Sequence, residues 1–246
     1  MDCPRSLLIL LDFWGNCLII IVVIKMHSPQ KILLRILGTL LAAFIGTNAL
    51  AEYEPNNNYS SLVLAYQSTN FATPVCIGSE CHDGLAGPSI VYAQQIISNL
   101  ALGISGSYLQ SSGNTSSITS TNISPFVEVI AGLGNKVDVG SSVAVLNTNF
   151  KLCSTNPDTC SSTSDTGSDL GVFGKVFLND AKSINVGLSY NVINFQKSSG
   201  QSIVGLSLVV ILAKQHRLDF SVDRVRDSSG NAISGGFGFG YSFLVF

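Results

Sequence analysis

The stretch 233-ISGGFGFGYSFLVF-246 decides the fold. Phe237, Phe239, Tyr241 and Phe243 take every second position, with Gly236, Gly238 and Gly240 between them. An extended strand would therefore carry rings on one face and bare backbone on the other. A helix has no use for that period, and three interior glycines cost a soluble strand both packing and entropy. A strand whose rings face lipid and whose other side faces a crowded lumen uses both features. The expected fold is all-β, a closed antiparallel transmembrane β-barrel. Phe246 falls out of the odd-numbered phase, so either Leu244 and Phe246 reach lipid after a local slip or the strand proper ends at Phe243.

Composition agrees. Of 246 residues, 11 % are charged and 23 are Gly, while mean hydropathy is positive. A soluble protein this apolar normally carries more surface charge, and a helical membrane protein shows apolar runs of about 18 residues or more through its body. Past residue 51 there is none; the longest apolar stretch, 203–213, has the length of a tilted barrel strand. After residue 51 nine Lys and Arg stand against thirteen Asp and Glu, a net of −4 with no basic stripe, so nucleic acid is not an expected partner.

Residues 26–51 read as a signal peptide: Lys31 and Arg35 give the positive start, 36–45 the apolar middle, and Ala49-Leu50-Ala51 the small-x-small cleavage site. Ahead of it, 1–25 read as an overextended start with translation beginning at Met26. The alternative is a membrane anchor over 6–24, which carries Asp12 and Asn16. The barrel domain is then 52–246.

Within it, period-2 segments fall at 59–67, 89–98, 100–110, 123–132, 137–150, 170–178, 183–195, 201–213, 217–226 and the final stretch. The count is about ten, with eight or twelve inside the uncertainty of strand ends. Long polar connections at 68–87, 111–121 and 151–168 read as loops by turn chemistry and alternate with tight turns. With both barrel ends periplasmic, that order gives short turns inside and longer loops outside.

Four cysteines remain in the mature chain, Cys76 and Cys81 in the first long connection, Cys153 and Cys160 in the third. An even number in an exported chain reads as disulfides. Local bridges, Cys76 to Cys81 and Cys153 to Cys160, are favoured because each closes a short loop; a cross-loop pairing is the alternative. His82, the one histidine near these thiols, does not make a zinc set. No metal or cofactor is expected.

By phase, Glu128, Asp138, Lys175, Asp219 and Asp223 point into the lumen, as do Asn185 and Asn191. Buried charges must pair or meet water. Lys175 with Glu128 or Asp138 would be an ion pair that plugs a narrow lumen; a pore lined by the same groups is the alternative. Arg224 and Arg226 share the phase of Leu218, Phe220 and Val222 near the outer rim, where guanidinium suits bidentate phosphate contact. Lipopolysaccharide is the expected contact there, and simple solvation the alternative.

The alternating C-terminal strand ending in Phe resembles that of bacterial outer-membrane β-barrel proteins, of the opacity-type and OmpA-like kind. The resemblance implies location in the outer membrane and implies that the insertion machinery reads Phe237, Phe239, Tyr241, Phe243 and Phe246. It further implies a structural, adhesive or host-contacting surface role through the outer loops, with a narrow channel for small or hydrophobic solutes as the alternative.

A third reading, a lipid-modifying enzyme, needs a base, an orienter and a nucleophile at one rim. The sequence has no omptin-like Asp and His pairs and no lipid-deacylase-like His-x-Ser pattern in a strand. His82 beside Asp83 reads as a solvated loop histidine, and His216 lies in a periplasmic turn. A non-enzymatic protein is expected.

Overall fold

Alternating apolar and small residues make strands, and here each strand bonds to its neighbour in sequence until the ring is complete. The computed structural model describes residues 7–14, 17–24, 59–155, 158–212 and 216–244, so the signal-peptide reading and Phe246 lie outside the described residues. Two units are present. In the first, β1 (Leu7–Trp14) pairs antiparallel with β2 (Cys17–Ile24), from Leu7↔Ile24 to Trp14↔Cys17. A two-stranded ribbon thus occupies the stretch in which a spanning anchor was the alternative. No helix among the described residues is long and apolar enough to cross a membrane.

The second unit holds β3 (Ser61–Ile77), β4 (Glu80–Ile97), β5 (Leu100–Ser112), β6 (Ser116–Leu133) and β7 (Val137–Thr155). It continues with β8 (Asp158–Phe177), β9 (Ile184–Phe195), β10 (Gln201–Leu212), β11 (His216–Asp227) and β12 (Ala232–Leu244). Each pairs antiparallel with the next, and β12 returns to β3 from Ser234↔Phe71 to Leu244↔Ser61. The barrel is closed, with ten strands.

Its outside is apolar. Phe237, Phe239, Tyr241 and Phe243 are 43–51 % exposed, and Leu64 and Tyr66 on β3, Leu102 and Ile104 on β5, and Leu188 and Tyr190 on β9 extend the belt. Leaving about half of such a side chain in water forgoes about 1 kcal/mol apiece. A belt of this kind belongs in hydrocarbon.

The structure corrects the three long loops. The wall runs on through them: β3, β4, β6, β7 and β8 are 17, 18, 18, 19 and 20 residues long, against 12 or 13 for β9 to β12. The Ser, Thr and Asn of these segments mark where the strands leave the apolar layer, and backbone pairing persists in water as far as Ile77↔Glu80 and Thr155↔Asp158. Side chains on the extensions bond across the ladder, Asn149 Nδ2 to Ser164 Oγ at 2.9 Å and Thr166 Oγ1 to Asn147 Oδ1 at 3.2 Å. Cys76 bonds to Cys81 and Cys153 to Cys160, each bridge joining facing residues near a hairpin tip with Cα atoms 4.0 and 4.1 Å apart. The local pairing is the one present.

Inside, two rings lie flat on glycines of the neighbouring strand. A Cβ on Gly103 would come within 2.2 Å of Phe126 Cζ, and one on Gly140 within 2.4 Å of Phe173 Cζ and 2.6 Å of the Val129 carbonyl oxygen. These are sites where only glycine lets an aromatic cover the backbone. Gly140→Val should destabilise the barrel by about 1–3 kcal/mol through overpacking, read as a lower urea midpoint in detergent. Gly174→Ala, with its nearest atom at 3.9 Å, should stay within about 0.5 kcal/mol of the parent. Equal midpoints for all three chains would contradict this packing.

Candidate functional site

On β11 the even-numbered Phe220 and Val222 are exposed on the outer wall, so Arg217 and Asp219 face the lumen. Arg217 forks onto Asp219: Nε donates to both carboxylate oxygens at 2.8 and 3.0 Å, and an Nη lies 2.6 Å from Oδ1. Ser242 Oγ donates to the same carboxylate at 2.8 Å. Across the lumen Asp138, fully buried, accepts the Tyr59 hydroxyl at 2.8 Å. Lys175 Nζ lies 4.1 Å from the centroid of the Tyr59 ring and 5.0 Å from that of Phe173. The groups that act electrostatically on Lys175 are Glu128, Arg217, Asp138 and Asp219.

Four of the five lumen charges read from the sequence therefore meet at the turn end of the barrel, where β7 and β11 begin and β12 ends. Asp223 sits higher, opposite Gly236, whose backbone N–H it accepts. Tyr59 and Arg217 are additions. Arg217 has the parity of Asp219 and was legible on that ground; Tyr59 precedes β3, but it opens the expected segment 59–67 with the parity opposite to Leu64 and Tyr66, so it was legible in the same way. Within the cluster the Asp138 and Asp219 carboxylates each have a hydrogen-bond donor, and the Lys175 ammonium lies against two rings. Above it, Glu128, Ser142, Lys175, Ser189, Asn191 and Ser207 border a cavity of about 250 Å³.

The outer rim holds a second cluster, and here His82 corrects the sequence reading. It is 4 % exposed, held between hairpins, with Nδ1 2.8 Å from Ser111 Oγ and Nε2 2.9 Å from Ser116 Oγ. Glu80 reaches from the β3–β4 hairpin to the β5–β6 turn. Its carboxylate accepts the N–H of Asn114 at 2.6 Å and of Thr115 at 3.0 Å, the Thr115 hydroxyl at 3.1 Å and the Ser116 hydroxyl at 2.5 Å. The Ser116 hydroxyl first, then the Thr115 and Asn114 amides, hold the Glu80 carboxyl down at about 2. Ser68, Asn70, Gln110, Ser111, Ser112 and His82 line a cavity of about 420 Å³ beside it. Neither serine could be linked to His82 from sequence, since 29 and 34 residues separate them.

Elsewhere, Arg224 and Arg226 are exposed at the outer end of β11, beside a register shift between Val225 and Arg226. His216 opens β11 on the outer wall, stacked on Tyr241 with its Nδ1 against the tyrosine hydroxyl. Asp165 accepts the N–H groups of Lys197 and Ser198, tying the β9–β10 connection to β8.

No family model and no curated protein matches the sequence. Solved structures do. The attachment invasion locus protein Ail of Yersinia pestis is 10 % identical, with 76 % of this chain and 98 % of that one covered at a TM-score of 0.41. The NanC porin is 8 % identical, with 75 % and 100 % covered at 0.46. OprG from Pseudomonas aeruginosa is 10 % identical, with 77 % and 98 % covered at 0.40. The closed ladder and apolar belt of this chain make it a small membrane-spanning β-barrel of the outer-membrane type.

Because the Glu80 carboxyl is depressed in the folded state from 4.5 to about 2, its contribution to hairpin stability is complete above pH 4.5. It is lost as pH falls through about 2. The Glu80 carboxyl carbon resonance should titrate near pH 2, and nicking of the 113–115 turn by pepsin should rise between pH 4.5 and 2. A midpoint near 4.5 would mean that the carboxylate does not hold the turn.

Proposed function

We propose that the protein is a surface barrel of the bacterial outer membrane, structural or adhesive, whose lumen is shut and whose outside contacts are made by its paired hairpins. The unequal height of the wall carries this reading. A crossing takes about 9–11 residues, which β9 to β12 exceed by little. β7 and β8, at 19 and 20 residues, have enough left over for about 30 Å of further strand. The extensions are ordered before any partner arrives, by two disulfides and by side-chain bonds across the ladder. A partner on a host or neighbouring surface would then bind with little loss of loop entropy. The expectation of a barrel without chemistry turns on His82.

A narrow channel is the second reading, favoured by the polar cavity around Glu128 and Ser207. Single-channel recording in planar bilayers separates the two. The shut barrel gives no steady conductance, while Tyr59→Ala combined with Arg217→Ala opens one. Steady conductance from the unaltered chain would sink the shut-lumen reading.

Arg224 and Arg226 supply the lipid-facing part of the proposal, since guanidinium groups just above the belt suit the phosphates of lipopolysaccharide. Replacing both by Ala should raise detergent sensitivity of cells and lower the thermal midpoint of the barrel in lipopolysaccharide-containing vesicles, leaving it unchanged in phosphatidylcholine. Equal midpoints in both would remove this contact.

A further inference from the structure

The rim cluster has a direction built into it. The Glu80 carboxylate can only accept, and Ser116 commits its one hydroxyl proton to that carboxylate at 2.5 Å. Ser116 Oγ therefore meets His82 Nε2, 2.9 Å away, as an acceptor, and Nε2 carries the ring proton. In the neutral ring Nδ1 then turns its lone pair toward Ser111 Oγ at 2.8 Å. A neutral imidazole with a base nitrogen on a serine hydroxyl and its other nitrogen wired to a carboxylate is the arrangement that activates a nucleophile. Here the wire passes through Ser116.

Geometry also supplies room for a substrate. Ser111 and His82 border the cavity of about 420 Å³, and Asn70, Gln110, Ser68 and Ser112 bring amide and hydroxyl donors to its wall. Ser68 and Asn70 lie two and four residues beyond exposed Tyr66, and Gln110 and Ser112 the same distance beyond exposed Tyr108, and these four share the outward parity of the rings, while Ser111 has the opposite parity and meets the cavity from the inner side of the rim. The cavity thus sits just above the outer aromatic girdle, at the height of lipid headgroups.

We propose that Ser111 and His82 form a hydrolytic site for carboxylic esters of amphiphiles in the outer leaflet, an activity beyond the surface role above. Ser111 Oγ forms a bond to the ester carbonyl carbon as its proton passes to His82 Nδ1. The tetrahedral adduct collapses by breaking the bond to the alcohol oxygen, which leaves with that proton. Water then attacks the acyl-serine, again giving a proton to Nδ1 and returning it to Ser111 Oγ as the carboxylic acid departs. Glu80 and Ser116 are positioning residues: they fix the tautomer and bring negative charge toward the imidazolium that forms. Both turns of the cycle consume only ester and water.

The test uses the full chain purified from outer membranes in detergent, with a fluorophosphonate probe and the p-nitrophenyl ester of a medium-chain fatty acid. The phosphonyl adduct should map to the peptide carrying Ser111. Ester hydrolysis should fall by about 10²–10⁴-fold in His82→Gln and vanish in Ser111→Ala, both chains keeping the gel mobility of a folded barrel. Glu80→Gln should slow hydrolysis and be rescued by Glu80→Asp more than by any neutral residue, which a purely structural latch would not require. Absence of an adduct on the unaltered chain, an adduct on another residue, or hydrolysis that survives Ser111→Ala would each overturn the proposal. Mapping on the unaltered chain keeps the test decisive if a variant fails to fold, and none of these results touches the conductance measurement on which the surface-barrel reading stands.

Discussion

The pairing of β12 with β3 is the constraint from which the rest follows. A sheet left open in hydrocarbon would expose a row of unpaired N–H and C=O groups, each costing several kcal/mol. Eleven register pairs between the two strands, Ser234↔Phe71 through Leu244↔Ser61, remove that edge. Once the ring is closed, parity sorts the side chains: most rings to lipid, and most glycine, serine and charge to the lumen, with Phe126 and Phe173 kept inside and Arg224 and Arg226 outside. The narrow interior then dictates how its charges are handled, by forked contacts such as Arg217 on Asp219 and by rings over Lys175. Two of its phenylalanines fit only because the facing residues are glycines.

Closure also explains the asymmetry of the wall. Within the apolar layer every strand has two partners, but above it a strand needs only one, since water satisfies the free edge. β3, β4, β6, β7 and β8 exploit this by continuing past it, and the β9 to β12 side stops. The tips are then stabilised by means suited to water: disulfides, Asn to Ser bonds across the ladder, and the Glu80 carboxylate capping the neighbouring turn. The same rigidity that would display a binding surface also holds His82 between two serines.

Particular residues show what the sequence could disclose. Phe237 to Phe243 announce a lipid-facing strand because their period is strict and their intervening residues are Gly238, Gly240 and Ser242. The ten-strand count follows from like patterns elsewhere. The segments 68–87, 111–121 and 151–168 were misread because an extended ribbon in water has no apolar face to alternate, so Ser and Thr there look the same in a strand as in a loop. Interior charges such as Asp138 and Lys175 were legible from parity. What surrounds them was not, since the Tyr59 hydroxyl reaches Asp138 across 79 residues of sequence. The rim cluster was the least legible, because Glu80, His82, Ser111 and Ser116 come from two hairpins brought side by side by the barrel itself.

Closure is also what a single measurement can reach most directly. Leu64 and Tyr241 face each other across the β3–β12 seam, both on the outer wall, and facing residues of an antiparallel pair lie close enough for a disulfide. Cysteines placed at these two positions should cross-link in high yield in native membranes, while a Leu64 and Phe237 pair, displaced four residues along the seam, should not. No cross-link at the first pair, or equal yields at both, would mean that the ring is open or paired in another register.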